Sequence, residues 1–128
     1  MRKQQLIFVY NADSSLLNSL NDFAHKILSP FTYPCALCAL TYGSFSMKQD
    51  WKSFLETLPF EIVFLHKDQF VQQCKMDLAF PAVLIKTDDR IKPFVTKEEI
   101  EGCQSLQQLK DVILSKTSMH DQYNYSNL

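Results

Sequence analysis

The feature that most constrains the fold is a continuous apolar run near the start of the chain, residues 6–10 with the sequence LIFVY. Its residues do not alternate between apolar and polar types, as they would in a strand with one face in water. A short apolar run of this kind is typical of a strand covered on both faces, as in the parallel and mixed sheets of α/β proteins. The run therefore predicts a sheet with helices on both sides.

The rest of the chain alternates between helix and strand patterns. Helices are predicted over residues 13–28, 46–58, 68–78 and 105–115, and strands over 61–65, 80–85 and 91–95. Capping boxes at Ser46 with Gln49 and at Ser105 with Gln108 mark two of the helix starts. Pro93 limits its strand to an edge of the sheet or to a position whose N–H is not needed, because proline lacks this donor.

The organisation that follows is a single α/β domain over residues 1–116. A segment of about residues 30–59, which contains two of the cysteines, is expected as an insertion after the first helix. Residues 87–90 predict a turn between the last two strands. Residues 117–128 are mostly polar and are expected to form a flexible tail.

Composition argues against several classes of function. Apolar residues make up 46% of the 128 residues, which is sufficient for a core, and 13 basic against 14 acidic residues give a net charge of −1. This balance disfavours a nucleic-acid partner and a polybasic membrane anchor. The two glycines, Gly43 and Gly102, cannot form a glycine-rich nucleotide loop, so no organic cofactor is expected. The absence of a long apolar stretch and of a signal peptide predicts a cytoplasmic location, where cysteines stay reduced.

The sharpest chemical feature is the sequence Cys35-Ala36-Leu37-Cys38. Two thiols at this spacing can close a small disulfide loop, which predicts a redox pair with Cys35 as the attacking thiol and Cys38 as the resolving thiol. No lysine, arginine or histidine lies within six residues of Cys35. The sequence therefore offers no neighbouring charge that would lower the pKa of this thiol.

Two other interpretations of the cysteines stay open. The Cys-x-x-Cys motif is also half of a zinc site, and the missing ligands would come from His25 and His66, or from Cys74, Cys103 or an acidic residue. In the third interpretation all four cysteines are ordinary packing residues. The chain would then be a non-enzymatic interaction module for a protein partner that the sequence does not identify.

The order of the elements resembles the thioredoxin-like fold. Residues 6–10 are similar to its central strand, residues 80–84 to its proline-led strand, residues 91–95 to the hairpin partner, and residues 105–115 to the closing helix. The resemblance implies a three-layer sandwich, with a mixed central sheet flanked by helices. It also implies a cis peptide bond before Pro81, with Pro81 facing the start of the first helix.

The chain departs from this family at the residues that carry its chemistry. Active thioredoxins have a Cys-x-x-Cys where the central strand meets the first helix, but here that junction, residues 11–15, reads NADSS. The cysteine pair follows the helix instead, so the resemblance implies the fold without the family's usual mechanism. The segment 32–43, TYPCALCALTYG, also resembles a segment of a small family of uncharacterised bacterial proteins, and that resemblance implies no activity.

Overall fold

The structure is a computed structural model that describes residues 4–11, 35–43 and 47–126, with the side chains described up to residue 120. The helix predicted over residues 13–28 lies outside these ranges. The described elements, in chain order, are β1 (Gln5–Tyr10), α1 (Ala36–Thr41), α2 (Gln49–Glu56), β2 (Glu61–His66), α3 (Lys67–Gln73), β3 (Ala82–Thr87), β4 (Arg90–Val95), α4 (Lys97–Glu101) and α5 (Leu106–Ser126).

The four described strands form one mixed open sheet in the order β2-β1-β3-β4. β1 runs parallel to β2 and antiparallel to β3, and β3 and β4 form an antiparallel hairpin. Each residue from Leu6 to Tyr10 exposes 4% or less of its surface, as expected for an inner strand covered on both faces. The predicted α/β class is therefore confirmed.

The two faces of β1 contact different helices, because successive side chains of a strand point to opposite sides of the sheet. Phe8 and Tyr10 belong to a large core cluster with residues of α1, α2 and α5. Ile7 and Val9 form a second cluster with Phe70 of α3. Helix α1, which carries the cysteine motif, thus packs on the face of the sheet to which Tyr10 points.

The hairpin and α2 follow the sequence prediction with one correction. Residues 88 and 89 form the turn, and β4 lies at the edge of the described sheet, where Pro93 is tolerated. Helix α2 begins at Gln49 with Lys48 as its N-cap, so the prediction of Ser46 as the cap is wrong. Trp51 is fully buried and packs edge-to-face on Phe8, with the ring centroids 5.5 Å apart.

Strand β3 is entered through Pro81, and the Phe80–Pro81 peptide bond is cis, as the resemblance implies. Ala82 pairs with Val9 of β1, so the preceding Pro81 lies at the same end of the sheet as Tyr10. Helix α3 ends at Gln73, whereas the sequence predicts that it continues to residue 78.

The C-terminal region contains more helix than the sequence pattern indicates. The short helix α4 was not predicted, and α5 continues to Ser126, through most of the segment that the sequence assigns to a tail. Ser105 caps α5 by accepting a hydrogen bond from the Gln108 N–H at 3.2 Å, as predicted. The Gln108 side chain, however, accepts from the Gln104 N–H at 2.6 Å and not from that of Ser105. Beyond residue 116, Thr117 is buried, and His120 Nε2 lies 3.2 Å from Gln4 Oε1. These contacts hold the second half of α5 against the start of β1.

Candidate functional site

The cysteine pair lies at the carboxyl end of β1. Asn11 directly follows β1, and its backbone N–H donates a hydrogen bond to Cys35 Sγ. The sequence places the pair after the first predicted helix, far from the strand end. The tertiary structure nevertheless returns Cys35 to the point where the chain leaves β1.

Helix α1 begins at Ala36, directly after Cys35. Cys35 is the extended N-cap residue, and its Sγ accepts a hydrogen bond from the Cys38 N–H at 3.4 Å. The six-residue helix is too short to be stable by itself in water, so its stability comes from packing. Leu37 is fully buried in the core on the Tyr10 face and anchors the helix there.

Hydrogen bonds lower the pKa of Cys35 from 9.0 to about 7. The largest effect comes from the Cys38 side chain, whose thiol donates to Cys35 Sγ. Burial opposes the shift, and the backbone N–H groups of Cys38, Asn11 and Leu37 add to it. The expectation that nothing nearby lowers this pKa is therefore wrong, because amide and thiol donors replace the absent cation.

The other two cysteines differ from this pair. Cys103 is half-buried, and its thiol donates to the Glu99 carbonyl oxygen at 3.3 Å. Burial, followed by the charge of Glu99, raises the pKa of Cys103, which keeps its thiol protonated near neutral pH. Cys74 is also half-buried. All four cysteines are free thiols.

Two tyrosines lie beside the pair and were not singled out from the sequence. The rings of Tyr10 and Tyr42 are 5.9 Å apart, and Tyr42 is the C-cap of α1, where its N–H donates to the Cys38 carbonyl oxygen at 3.0 Å. Burial raises the pKa of both phenols, and negative charge on Cys38 and Cys35 raises them further. The two phenols and the two thiols therefore interact electrostatically.

His66 lies next to Tyr10 at the same edge of the sheet, since the two residues are register partners in the parallel β1–β2 pair. Their rings are 6.4 Å apart. Gln69 Oε1 accepts from the His66 backbone N–H at 2.9 Å and lies 3.0 Å from His66 Nδ1.

Four of the predicted site residues, Cys35, Cys38, His66 and Pro81, therefore lie at one end of the sheet, whereas His25 lies outside the described residues. Within residues 4–11, 35–43 and 47–126, no three histidine, cysteine, aspartate or glutamate side chains are arranged to hold a metal ion. Tyr10 and Tyr42 carry no sequence signal of their own, because each one simply ends an apolar run.

Comparisons of the chain with protein-family models, with curated proteins and with solved structures found no match. In the part of the chain that the structure describes, no helix is both long and apolar enough to cross a membrane.

Proposed function

We propose that this chain is a thioredoxin-like protein in which Cys35 and Cys38 form a reversible dithiol–disulfide pair. The observation that carries the proposal is the arrangement around Cys35 Sγ. The sulfur accepts hydrogen bonds from the Cys38 thiol and from the backbone N–H groups of Cys38, Asn11 and Leu37, and its pKa falls to about 7. A thiol with this pKa is about half ionised at neutral pH, and the thiolate is the reactive form.

The sheet supports the thioredoxin-like part of the proposal. β1 is an inner strand, β3 follows Pro81, and β4 is its antiparallel hairpin partner at the edge of the described sheet. This arrangement agrees with the mixed central sheet that the resemblance implies. The position of Cys35 next to the end of β1 also brings the thiol pair to the region where active thioredoxins carry theirs.

The reaction proceeds in two exchange steps. The Cys35 thiolate attacks one sulfur of a disulfide, so that a new S–S bond forms and the second sulfur leaves as a thiolate. Cys38 then loses its proton and attacks Cys35 Sγ, which breaks the mixed disulfide and releases the other thiolate. The net result is the oxidation of two protein thiols and the reduction of one disulfide to two thiols.

The geometry of α1 favours the second step. Cys38 occupies the first turn of the helix that Cys35 caps, and the two side chains already share a hydrogen bond. Closure of the disulfide therefore replaces an existing hydrogen bond by a covalent bond. No other helix or strand has to move to bring the two sulfur atoms together.

The proposal is tested by native mass spectrometry on protein purified without reductant or chelator. The wild-type mass should be two hydrogen atoms lower than that of the fully reduced chain, and reductant should restore the higher mass. Cys35→Ser should show neither the lower mass nor the change on reduction. Cys103→Ser is the matched control, since its thiol lies outside the pair, and it should behave like the wild type.

Two results would contradict the proposal. A bound metal ion that is lost in Cys35→Ser would indicate a metal-binding protein that uses Cys35 and Cys38 as ligands. A metal-free mass that stays fully reduced after treatment with a disulfide oxidant would indicate packing cysteines and an interaction module.

A further inference from the structure

A cavity of about 700 Å³ lies at the end of the sheet opposite the cysteine pair, between the β3–β4 hairpin and the second half of α5. Its position follows from the strand register. Gln5, the first residue of β1, pairs with Lys86 near the hairpin turn, whereas Val9 pairs with Ala82 beside the cis-proline. Cavities of about 300–1,000 Å³ are the usual sites for small molecules. This cavity is therefore a candidate second site, remote from the two thiols.

Two basic side chains of β4, Arg90 and Lys92, line the cavity. Because side chains two residues apart in a strand point to the same side, both lie on one face of the sheet. Lys92 is the register partner of Ile85, which packs in the large core cluster together with residues of α5. The two charges therefore lie on the side of the sheet that α5 covers, where a strand usually carries apolar side chains.

Neither of these two cations is neutralised by a neighbour. In the part of the chain that the structure describes, the side chains of Arg90 and Lys92 form no salt bridge and no hydrogen bond. Two further basic residues line the cavity from α5, but both are already engaged. Lys116 Nζ lies 2.8 Å from Glu99 Oε2, and His120 contacts the start of β1. Arg90 and Lys92 are therefore the groups best placed to bind an anion.

Two carboxylates, those of Asp88 and Asp89, also line the cavity and limit where an anion can bind. Both belong to the turn between β3 and β4, so they lie at the Arg90 end of the cavity. Lys92 is farther from the turn, because each strand residue advances the chain by about 3.3 Å. An anion is therefore attracted to the two cations and repelled from the turn, and this charge pattern can be tested.

The two cations together favour a phosphate group over a carboxylate. An arginine guanidinium donates to two oxygen atoms at once, and a lysine ammonium supplies a compact charge. A carboxylate has only two oxygen atoms and one charge, whereas a phosphate group offers a further oxygen atom and further charge to the lysine.

We propose that this cavity binds a small phosphorylated molecule, with Arg90 and Lys92 donating hydrogen bonds to the phosphate oxygen atoms. The buried side chains of Ile85 and Phe94 supply the apolar part of the lining, against which the rest of the molecule packs. The inference goes beyond the proposed function and uses none of its residues.

The test is isothermal titration calorimetry of the full-length, reduced protein with pyrophosphate at constant ionic strength. Arg90→Gln and Lys92→Gln each remove one of the proposed contacts. Lys86→Gln is the matched control, because Lys86 pairs with Ile91 and lies on the opposite face of the same hairpin. Asp89→Asn removes a charge that repels the anion. Far-UV circular dichroism checks that each variant is folded.

We expect pyrophosphate to bind saturably, and Arg90→Gln and Lys92→Gln each to raise its Kd on the order of 10-fold or more. Lys86→Gln should leave the Kd within about twofold of the wild-type value, because its charge lies outside the cavity. Asp89→Asn should lower the Kd, because it removes a repulsion.

The inference is overturned by any of several results. The absence of saturable binding would mean that the two charges only protect an edge strand from pairing with other chains. An equal loss of affinity in Lys86→Gln would indicate non-specific attraction, and a higher Kd in Asp89→Asn would indicate a site that prefers cations. The proposed function stands in each case, because the cysteine pair lies at the other end of the sheet and is tested by its own mass measurement.

Discussion

The ionisation of Cys35 predicts that the reduced protein becomes more stable as the pH rises from neutral to mildly alkaline. The pKa of Cys35 is about 7 in the folded chain and 9.0 for the unperturbed thiol. Between these values the folded state holds a thiolate and the unfolded state holds a thiol, so the unfolded state binds more protons and raising the pH favours folding. The contribution is fully present above the unfolded pKa and is lost as the pH falls through the folded pKa.

The magnitude follows from the two values. One pKa unit corresponds to 1.36 kcal/mol, so a shift of about two units contributes about 2.7 kcal/mol in full, and about 2 kcal/mol of this develops between pH 7 and pH 9. The Cys35 side chain exposes 2% of its surface, so solvent screening does not remove the effect. This contribution is a substantial fraction of the free energy of unfolding of a typical domain, about 5–15 kcal/mol.

The assay is urea denaturation under a reductant at several pH values from about 6 to about 9, with Cys35→Ala as the control. The packing lost in the variant is common to every pH, whereas the contribution of this thiol to the pH dependence is absent from its curve. The difference between the two curves should grow with pH by about 2 kcal/mol from pH 7 to pH 9. Two parallel curves would refute the argument that hydrogen bonds hold Cys35 as a thiolate.

Three further predictions concern the support of the site. Cys38→Ala should raise the pKa of Cys35 above about 7, because the thiol donor is lost, whereas Cys38→Ser keeps a donor and should leave the pKa of Cys35 nearer that value. Titration of the thiolate absorbance measures this pKa in both variants. Equal values would contradict the assignment of the Cys38 thiol as a hydrogen-bond donor to Cys35. Leu37→Ala should lower the free energy of unfolding, measured by urea denaturation, by about 2–5 kcal/mol, because Leu37 is fully buried. Leu40→Ala is the matched control and should lower it by less, because Leu40 is half-buried. A chain that ends after residue 116 should have a lower melting temperature than the full chain, because Thr117 is buried in the folded protein; an unchanged value would mean that the end of α5 adds no stability.

Much of the fold could be predicted from short stretches of sequence. The apolar run at residues 6–10 predicted β1, and Pro93 predicted an edge strand. These features depend on the spacing of apolar residues and on the backbone limits of proline, which act over a few neighbouring positions. The start of α5 was predictable for the same reason, since Ser105 and Gln108 form a local cap.

The length of α5 was not predictable in this way. Its second half is polar, so the hydrophobic pattern fades after residue 116. The helix continues because Thr117 is buried and His120 reaches Gln4, a residue at the opposite end of the chain. Contacts between such distant residues leave no periodic signal in either segment.

The site shows the same division between local pattern and tertiary structure. The sequence by itself determined that two thiols lie three residues apart, at Cys35 and Cys38. The tertiary structure alone decided that Cys35 meets the N–H of Asn11 and that both thiols lie beside Tyr10 and Tyr42. A pKa depends on burial and on every donor and charge within a few ångströms, and these neighbours are brought together by the path of the chain around the sheet.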